Sequence, residues 1–473
     1  EEADNIYKFL WKVTHLAERS KIIISSATPM INKTDEFAIL ANLLLPMDYQ
    51  LPLNVSDDFY DKVTLAQLEP YLRGKVTFIK FLESNIEINN LGQILDKYEH
   101  HILMPKNANL KGYPLLPVEK DIISGEIKEI KTPKEKSQPL VECDYKNFSS
   151  QSTIYMLEME DIQLKAYEST LGDSSKFFSN QRQSSVFVFP NSQYGSEGFK
   201  NYIEKDEYGT YQFRKKVIYK DEKKVNRATN SLDAYFRTDS EENITTSLDN
   251  LNLFSCKFKF FIEKELNASK QEKPGNSFCY LEYVESSGAI LLALILKLFG
   301  FEEFTTTVDP FNIRTGKLEN MEKRKRFALV TGQSKNIDTT LKLFNSKENR
   351  HGEYIQIIIA SRLARDGVNI FNVLRGYIMS PGWHEAGMYQ ALSRFIRADS
   401  HDYLIAEEGK KIKVDIYRLA AVRPNETEIL YKKGKNKSCI DVKNYLDSEE
   451  KNIKTDSIIK NSDNDDVVVD LVK

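Results

Sequence analysis

Phe278-Cys279-Tyr280-Leu281-Glu282-Tyr283, followed by the apolar run Ala289-Ile290-Leu291-Leu292-Ala293-Leu294-Ile295-Leu296, decides the fold class of this chain. The first stretch is short and apolar, as strands buried on both faces are, and the second is long enough for about two turns of buried helix. The alternation continues with strand patterns at Arg326-Phe327-Ala328-Leu329-Val330-Thr331-Gly332, Ile355-Gln356-Ile357-Ile358-Ile359-Ala360-Ser361, Gly376-Tyr377-Ile378-Met379-Ser380 and residues 414–422. Helical spacing lies between them, over residues 336–344 and 384–397. Continuous apolar strands alternating with helices predict an α/β domain whose doubly wound parallel sheet is covered on both faces. Ligands in such sheets gather beyond the carboxyl ends of the strands, where the unusual polar clusters of this chain fall.

Upstream, Lys21-Ile22-Ile23-Ile24-Ser25-Ser26-Ala27-Thr28-Pro29 reads as a buried strand stopped by proline. A helix is expected over residues 34–45, with Asp35 and Glu36 in its first turn, Phe37, Leu40, Ala41 and Leu44 on one face, and Pro46 as its stop. Residues 47–250 are too many for a connection inside one compact domain and predict an insert with its own structure. Within it, 73–79 is strand-like, 119–138 a charged connector, 158–168 helical, and 204–250 a mobile loop region. Residues from Asp441 onward are helical in pattern before an Asn/Asp/Ser-rich stretch. The charged opening without Met and the apolar close suggest an internal piece of a longer protein.

Sixty-six basic and 69 acidic side chains give a net charge of -3, so nucleic-acid contact calls for a local groove. Cys143, Cys256, Cys279 and Cys439 form no C-x-x-C pair and the six histidines do not gather near them, which argues against a zinc site or disulfide framework. Free thiols suit a reducing compartment such as cytosol. The longest apolar run is interrupted by Lys297 and falls short of the roughly 18 residues that span a bilayer, so no membrane contact is expected.

Three clusters lie at expected strand ends: Ser26-Ala27-Thr28-Pro29; Ser361-Arg362 with Arg365-Asp366-Gly367-Val368-Asn369-Ile370; and Gln390-Ala391-Leu392-Ser393-Arg394-Phe395-Ile396-Arg397. In the third, Gln390, Arg394 and Arg397 share one face of the expected helix, while Leu392, Phe395 and Ile396 pin it. Guanidinium groups offer planar, permanently charged donors suited to phosphate oxygens and to charge developing in phosphoryl transfer.

In order and spelling these clusters resemble motifs three, five and six of helicase superfamily two, in the dialect of Swi/Snf-type ATPases. Arg397-Ala398-Asp399-Ser400-His401, where remodellers carry Gly-Gln, resembles the early transcription factor ATPases and nucleoside triphosphatases of poxvirus-type viruses. The segments around Lys257 and residues 281–304, and Asp441 with Ser448-Glu449-Glu450-Lys451, also have counterparts there. The resemblance implies a RecA-like motor: residues 1–46 end a first lobe, 47–250 form the insert, 251–425 a second lobe, and 426–473 a helical extension. It implies ATP hydrolysis with Mg²⁺, stimulated by DNA, in early viral transcription beside a second factor subunit and RNA polymerase. The host cytoplasm, with packaging in the virion, would be the location. Strand separation, transcription termination and a scaffold role without catalysis are the rival readings.

By the same resemblance Arg397 is the arginine finger, Arg394 its companion at the γ-phosphate, and Gln390 orients that phosphate or the attacking water. Asp366, Gly367 and Asn369 line the nucleotide side of the second lobe. Ser26, Ala27 and Thr28 couple ATP state to nucleic-acid movement. Glu1-Glu2-Ala3-Asp4 is read as the second motif, with Glu2 catalytic and Glu1 standing where the family carries its Mg²⁺-binding Asp. A phosphate-cradling Gly-rich loop is not in the chain, since Arg314-Thr315-Gly316-Lys317-Leu318 lacks its spacing and hydroxyl, so that loop is expected upstream.

Overall fold

A computed structural model describes residues 2–25, 36–53, 59–75, 86–105, 119–120, 127–128, 143–172, 176–220, 226–236, 238–305, 309–312, 318, 321–361, 368–382, 385–397 and 399–460. Among these, one sheet holds nine strands: β1 (Ile86–Leu91), β2 (Gln93–Ile94), β3 (Thr153–Glu158), β4 (Asn276–Tyr280), β5 (Glu302–Glu303), β6 (Arg326–Val330), β7 (Ile357–Ala360), β8 (Val373–Ile378) and β9 (Ile412–Val422). Their order is β5-β6-β7-β4-β8-β9-β3-β2, and β1 also pairs with β9. Every pairing is parallel except that of β2 with β3. Parallel strands need crossover connections, and three of these run through α2 (Ala289–Leu298), which leads from β4 to the edge strand β5, α3 (Ile337–Phe344) and α4 (Glu385–Leu392); α1 (Cys256–Ser269) precedes this block and α5 (Ile440–Lys460) follows it.

The period of two along each strand sorts side chains between two cores. Cys279, Phe327, Ile357, Ile359, Tyr377, Tyr417 and Leu419 meet Phe258 and Phe261 of α1 and Leu291 and Ile295 of α2. Phe278, Tyr280, Ala328, Val330, Ile358, Ala360, Ile378 and Ile416 face the other way, onto Leu341 and Phe344 of α3, Met388 and Leu392 of α4, and Tyr445 of α5. The expected α/β class, parallel and covered on both faces, is therefore what the chain builds. At the amino ends of β4, β7 and β8, the buried Glu265 carboxylate accepts from Ser277 Oγ (2.7 Å), Gln356 Nε2 (2.7 Å), Arg375 Nε (2.9 Å) and Tyr377 Oη (2.9 Å). Burial acts to raise this carboxyl, but the Arg375 charge and the hydrogen bonds outweigh it and hold it below the usual range.

Four expectations need correction. The segment read as a self-contained insert adds β1 and β3 to the main sheet on either half of β9, and Val186, Phe187, Phe199, Leu248 and Leu251 lie in the same core as α2. The stretch read as a mobile loop holds the antiparallel strand pairs Ile203–Lys205/Tyr211–Phe213 and Lys216–Lys220/Asn226–Asn230 and the helix Glu241–Phe254. Its polar face misled the reading; Val217, Leu232 and Phe236 are buried, and Phe236 packs on Phe299 at the end of α2. Residues 21–25 form no ladder among the described residues, and Ile23 is 88 % exposed, because a continuous apolar run is buried only where strands flank it. The upstream helix, whose residues 34 and 35 lie outside the described residues, ends as regular helix at Ala41 and continues in shorter turns to Leu45. Only the stretches 119–120 and 127–128 of the charged connector are described, and they pair with each other.

Candidate functional site

The chain that leaves the carboxyl end of β7 returns to the amino end of β8, and Asn369, Arg394 and Arg397 meet at that amino end, not beyond the carboxyl ends where the polar clusters were expected. Asn345, capping α3, clasps the returning chain: its Nδ2 donates to the Asn369 carbonyl (2.9 Å) and its Oδ1 accepts the Phe371 amide (2.8 Å). That double clasp fixes the backbone that carries the Asn369 side chain to this end of the sheet.

The second half of the site comes from the chain after α4, where the expected helix over 384–397 is corrected. Regular α-helix stops at Leu392, and the chain tightens, with the Phe395 amide donating to the Leu392 carbonyl (3.1 Å). Burial of Phe395 accounts for this. Its ring is fully buried against Phe278, 5.1 Å between centroids, and lies over Gly376, where a Cβ would come within 2.6 Å of it. Gln390 thus sits on α4, while Arg394 and Arg397 follow on the turn, which is latched when the Ile370 amide donates to the Arg394 carbonyl (3.1 Å).

The Arg397 guanidinium reaches back across that latch. Its Nη1 donates to Asn369 Oδ1 and its Nε to the Ser393 carbonyl (3.0 Å), yet the residue is exposed. Two of the five N–H donors of a guanidinium are so committed, and the rest are available to a ligand. The Arg397 amide donates to Ser400 Oγ (3.1 Å), which in turn lies 2.8 Å from Nδ1 of the buried His401. The other ring nitrogen of His401, Nε2, is 2.7 Å from the Val373 carbonyl, which can only accept, so the neutral ring carries its proton there. Burial pushes this imidazole below its ordinary pKa, and the Val373 carbonyl only partly opposes the shift.

A second group of polar side chains stands on the opposite edge of the sheet, beyond the carboxyl ends of β4 and β6. Glu285, in the turn leading to α2, accepts from Tyr211 Oη (2.6 Å) and Gln333 Nε2 (3.1 Å), and these bonds hold its carboxyl below the usual range. Ser287 in that turn accepts the Gly195 amide (3.2 Å) and donates to the Phe187 carbonyl (3.1 Å), so the former insert braces the rim directly. Gly288 is required here, since a Cβ would fall 2.2 Å from the Tyr283 carbonyl oxygen.

Of the residues expected to act, the structure brings Asn369, Arg394 and Arg397 together at the amino end of β8, and Gln390 lies one turn earlier on α4. Glu2 opens a helix, Glu2–Leu16, and its side chain lies outside the described residues. So do Glu1, Ser26, Ala27, Thr28, Asp366 and Gly367. Sequence reading missed Asn345, Ser400, His401 and Glu285. For Ser400 and His401 a signal existed, the departure from Gly-Gln after Arg397; for Asn345 there was none, because its partners lie a loop and a strand away.

No model of a known protein family matches the chain. It is 26 % identical over 467 residues to a putative helicase, 087L, of Invertebrate iridescent virus 3, which covers 97 % of this chain and 36 % of that protein. A putative ATP-dependent RNA helicase of Heliothis virescens ascovirus 3e is 22 % identical over 449 residues, 93 % of this chain and 39 % of that one. A termination factor NPH-I homologue of African swine fever virus is 35 % identical over 131 residues, 26 % of this chain and 17 % of that protein. Its relatives are thus viral putative helicases, and the chain spans between a third and two fifths of the length of the first of them. Among solved structures, the C-terminal part of the Fun30 ATPase domain is similar at 14 % identity over 43 % of this chain and 54 % of that one, with a TM-score of 0.23. No helix among the described residues is long and apolar enough to cross a membrane.

Proposed function

We propose that this chain carries the second lobe of a RecA-like, nucleic-acid-dependent ATPase, with Arg397 as its arginine finger. The observation behind the reading is the junction of Arg397 with Asn369: two clusters far apart in sequence are braced together, leaving an exposed guanidinium with unused donors. Such a group stabilises the charge that builds on a transferring phosphoryl group, and bracing in advance spares it reorganisation at the moment of reaction. Arg394 on the same turn and Gln390 one turn earlier on α4 add charge and orientation for the phosphate and the attacking water. ATP is the substrate in this reading, which the similarity to the ascovirus putative ATP-dependent RNA helicase supports. Mg²⁺ would neutralise phosphate charge, with Glu1 at the position where the resemblance puts its carboxylate partner, Glu2 as the catalytic carboxylate, and a phosphate loop expected upstream.

The biological setting we infer is viral early transcription in the host cytoplasm, the protein being packaged in the virion and working on DNA with a second factor subunit and RNA polymerase. Similarity to the termination factor homologue favours a second setting, release of transcripts, with the same chemistry. The test is turnover of the full-length protein with and without DNA or RNA at one fixed salt. Arg397→Ala is expected to lower stimulated hydrolysis by roughly a thousandfold or more, with nucleic-acid binding kept, and Arg397→Lys to rescue little, because an ammonium lacks the planar fork. Undiminished turnover in Arg397→Ala would reject the reading.

A further inference from the structure

The hairpin Ile203–Lys205/Tyr211–Phe213 carries a feature that phosphate chemistry does not use. Its turn is closed by its own hydrogen bonds. The Asp206 amide donates to the Thr210 carbonyl (2.9 Å), the Gly209 amide to the Asp206 carbonyl (3.0 Å), and Asp206 Oδ1 accepts the amides of Tyr208 (2.9 Å) and Thr210 (2.8 Å). Gly209 supplies the positive φ, +80°, that the turn requires. At this stiff tip the Tyr208 ring is 84 % exposed, the most exposed aromatic among the described residues.

The base of the hairpin is equally firm. Tyr211 bonds Glu285 on the carboxyl rim, Lys205 Nζ lies 4.6 Å from the centre of the Tyr211 ring, and the Arg214 amide donates to the Tyr202 carbonyl (2.8 Å). Residues 200–220 also reverse the charge of the chain: Lys200, Lys205, Arg214, Lys215, Lys216 and Lys220 stand against Glu204, Asp206 and Glu207. Arg214 pairs with Glu204 (2.7 Å) and Asp206 is taken up by the turn, which leaves Glu207 as the remaining acid.

An aromatic ring held in water by a rigid turn, on a hairpin that is basic in composition and is bonded at its base to the carboxyl rim where ligands of such sheets lie, fits the stacking of a nucleobase. We propose that Tyr208 is a stacking post for an unpaired base of the nucleic acid, with Lys215 and Lys216 tracking its phosphates. The inference rests on the proposed function only in taking nucleic acid as the ligand. A base within a duplex is already stacked on both sides, so the contact selects single strands or a frayed end.

The experiment uses the full-length protein and two probes carrying 2-aminopurine, a single-stranded oligonucleotide and the same sequence fully paired, at fixed salt. Wild type is expected to quench the single-stranded probe. Tyr208→Ala should abolish the quench and bind that probe about tenfold more weakly, while Tyr208→Phe keeps both and the paired probe distinguishes none of them. Tyr208→Ala binding and quenching like wild type would overturn this inference alone and assign the ring to a protein partner. A wild type that binds neither probe would overturn it together with the proposed function.

Discussion

His401 has no contact with any expected substrate position, yet the strand β8 and the turn that carries Arg397 both depend on it. Because burial lowers its pKa in the fold, the folded ring resists a proton that the unfolded chain accepts below about pH 6.5. The sign follows: stability is full above that pH and is lost as pH falls through the window beneath it. Urea unfolding at pH 7.5 and 5.5 should show a steeper loss for wild type than for His401→Gln, since the difference between the two proteins isolates this ring from the other histidines. Equal slopes would remove His401 from the account. Gly376 makes a complementary case in apolar terms. A methyl group there meets the buried Phe395 ring at 2.6 Å and Ile416 Cδ1 at 3.0 Å, so Gly376→Ala should cost on the order of 1–3 kcal/mol and loosen the turn that presents Arg397. Thermal melting checks the first consequence and ATP turnover of the full-length protein the second.

Among whole elements, the first turns of α1 and α5 meet where neither helix pattern suggested contact. Lys257 and Asp441 are almost fully buried with Nζ 2.6 Å from Oδ2, and each has further bonds: Lys257 donates to the Met379 carbonyl (2.7 Å), and Asp441 accepts the Ala421 amide (2.9 Å) and Ser185 Oγ (3.1 Å). Removing one partner leaves a buried charge alone. Lys257→Met should therefore destabilise by roughly 3–5 kcal/mol, and adding Asp441→Asn, which keeps an acceptor for the Ala421 amide, should restore part of the loss. Denaturant midpoints decide; a single substitution costing no more than an exposed pair would mean water reaches the site. This pair also marks where sequence reading stops. Strands β4 and β6 to β9 were legible because a parallel sheet buried on both faces leaves continuous apolar runs, and their crossover helices leave the complementary spacing. The end of α4 was not legible, because the ring of Phe395 bends the chain for the sake of Gly376, a neighbour on another strand. Nor was the clasp of Asn345, a polar residue whose purpose appears only when β7 and β8 stand side by side. Arg397 was found from its residue type and its neighbours, and the partner that braces it, Asn369, was named for another reason.

For the molecule as a whole, β9 is the member on which separate parts of the chain converge. Its first half pairs with β1, its middle with β8, and its last residues with β3. A chain cut to residues 251–460 would uncover Tyr417 and Leu419, which pack on Tyr155 and its neighbours. That piece is expected to be insoluble or to bind a hydrophobic dye, whereas one beginning at residue 86 should melt cooperatively; a well-folded 251–460 would restore the independent insert.

The same convergence reaches into biosynthesis. Asn89 of β1 finds its hydrogen-bonding partner Asp415 of β9 326 positions later. A ribosome adding roughly 5–20 residues per second leaves β1 without its place for about a quarter of a minute to a minute after it emerges. Through that interval an edge with unpaired amides and carbonyls is open to other chains, so production of this protein should respond to whatever shields nascent strands or slows crowding on the ribosome.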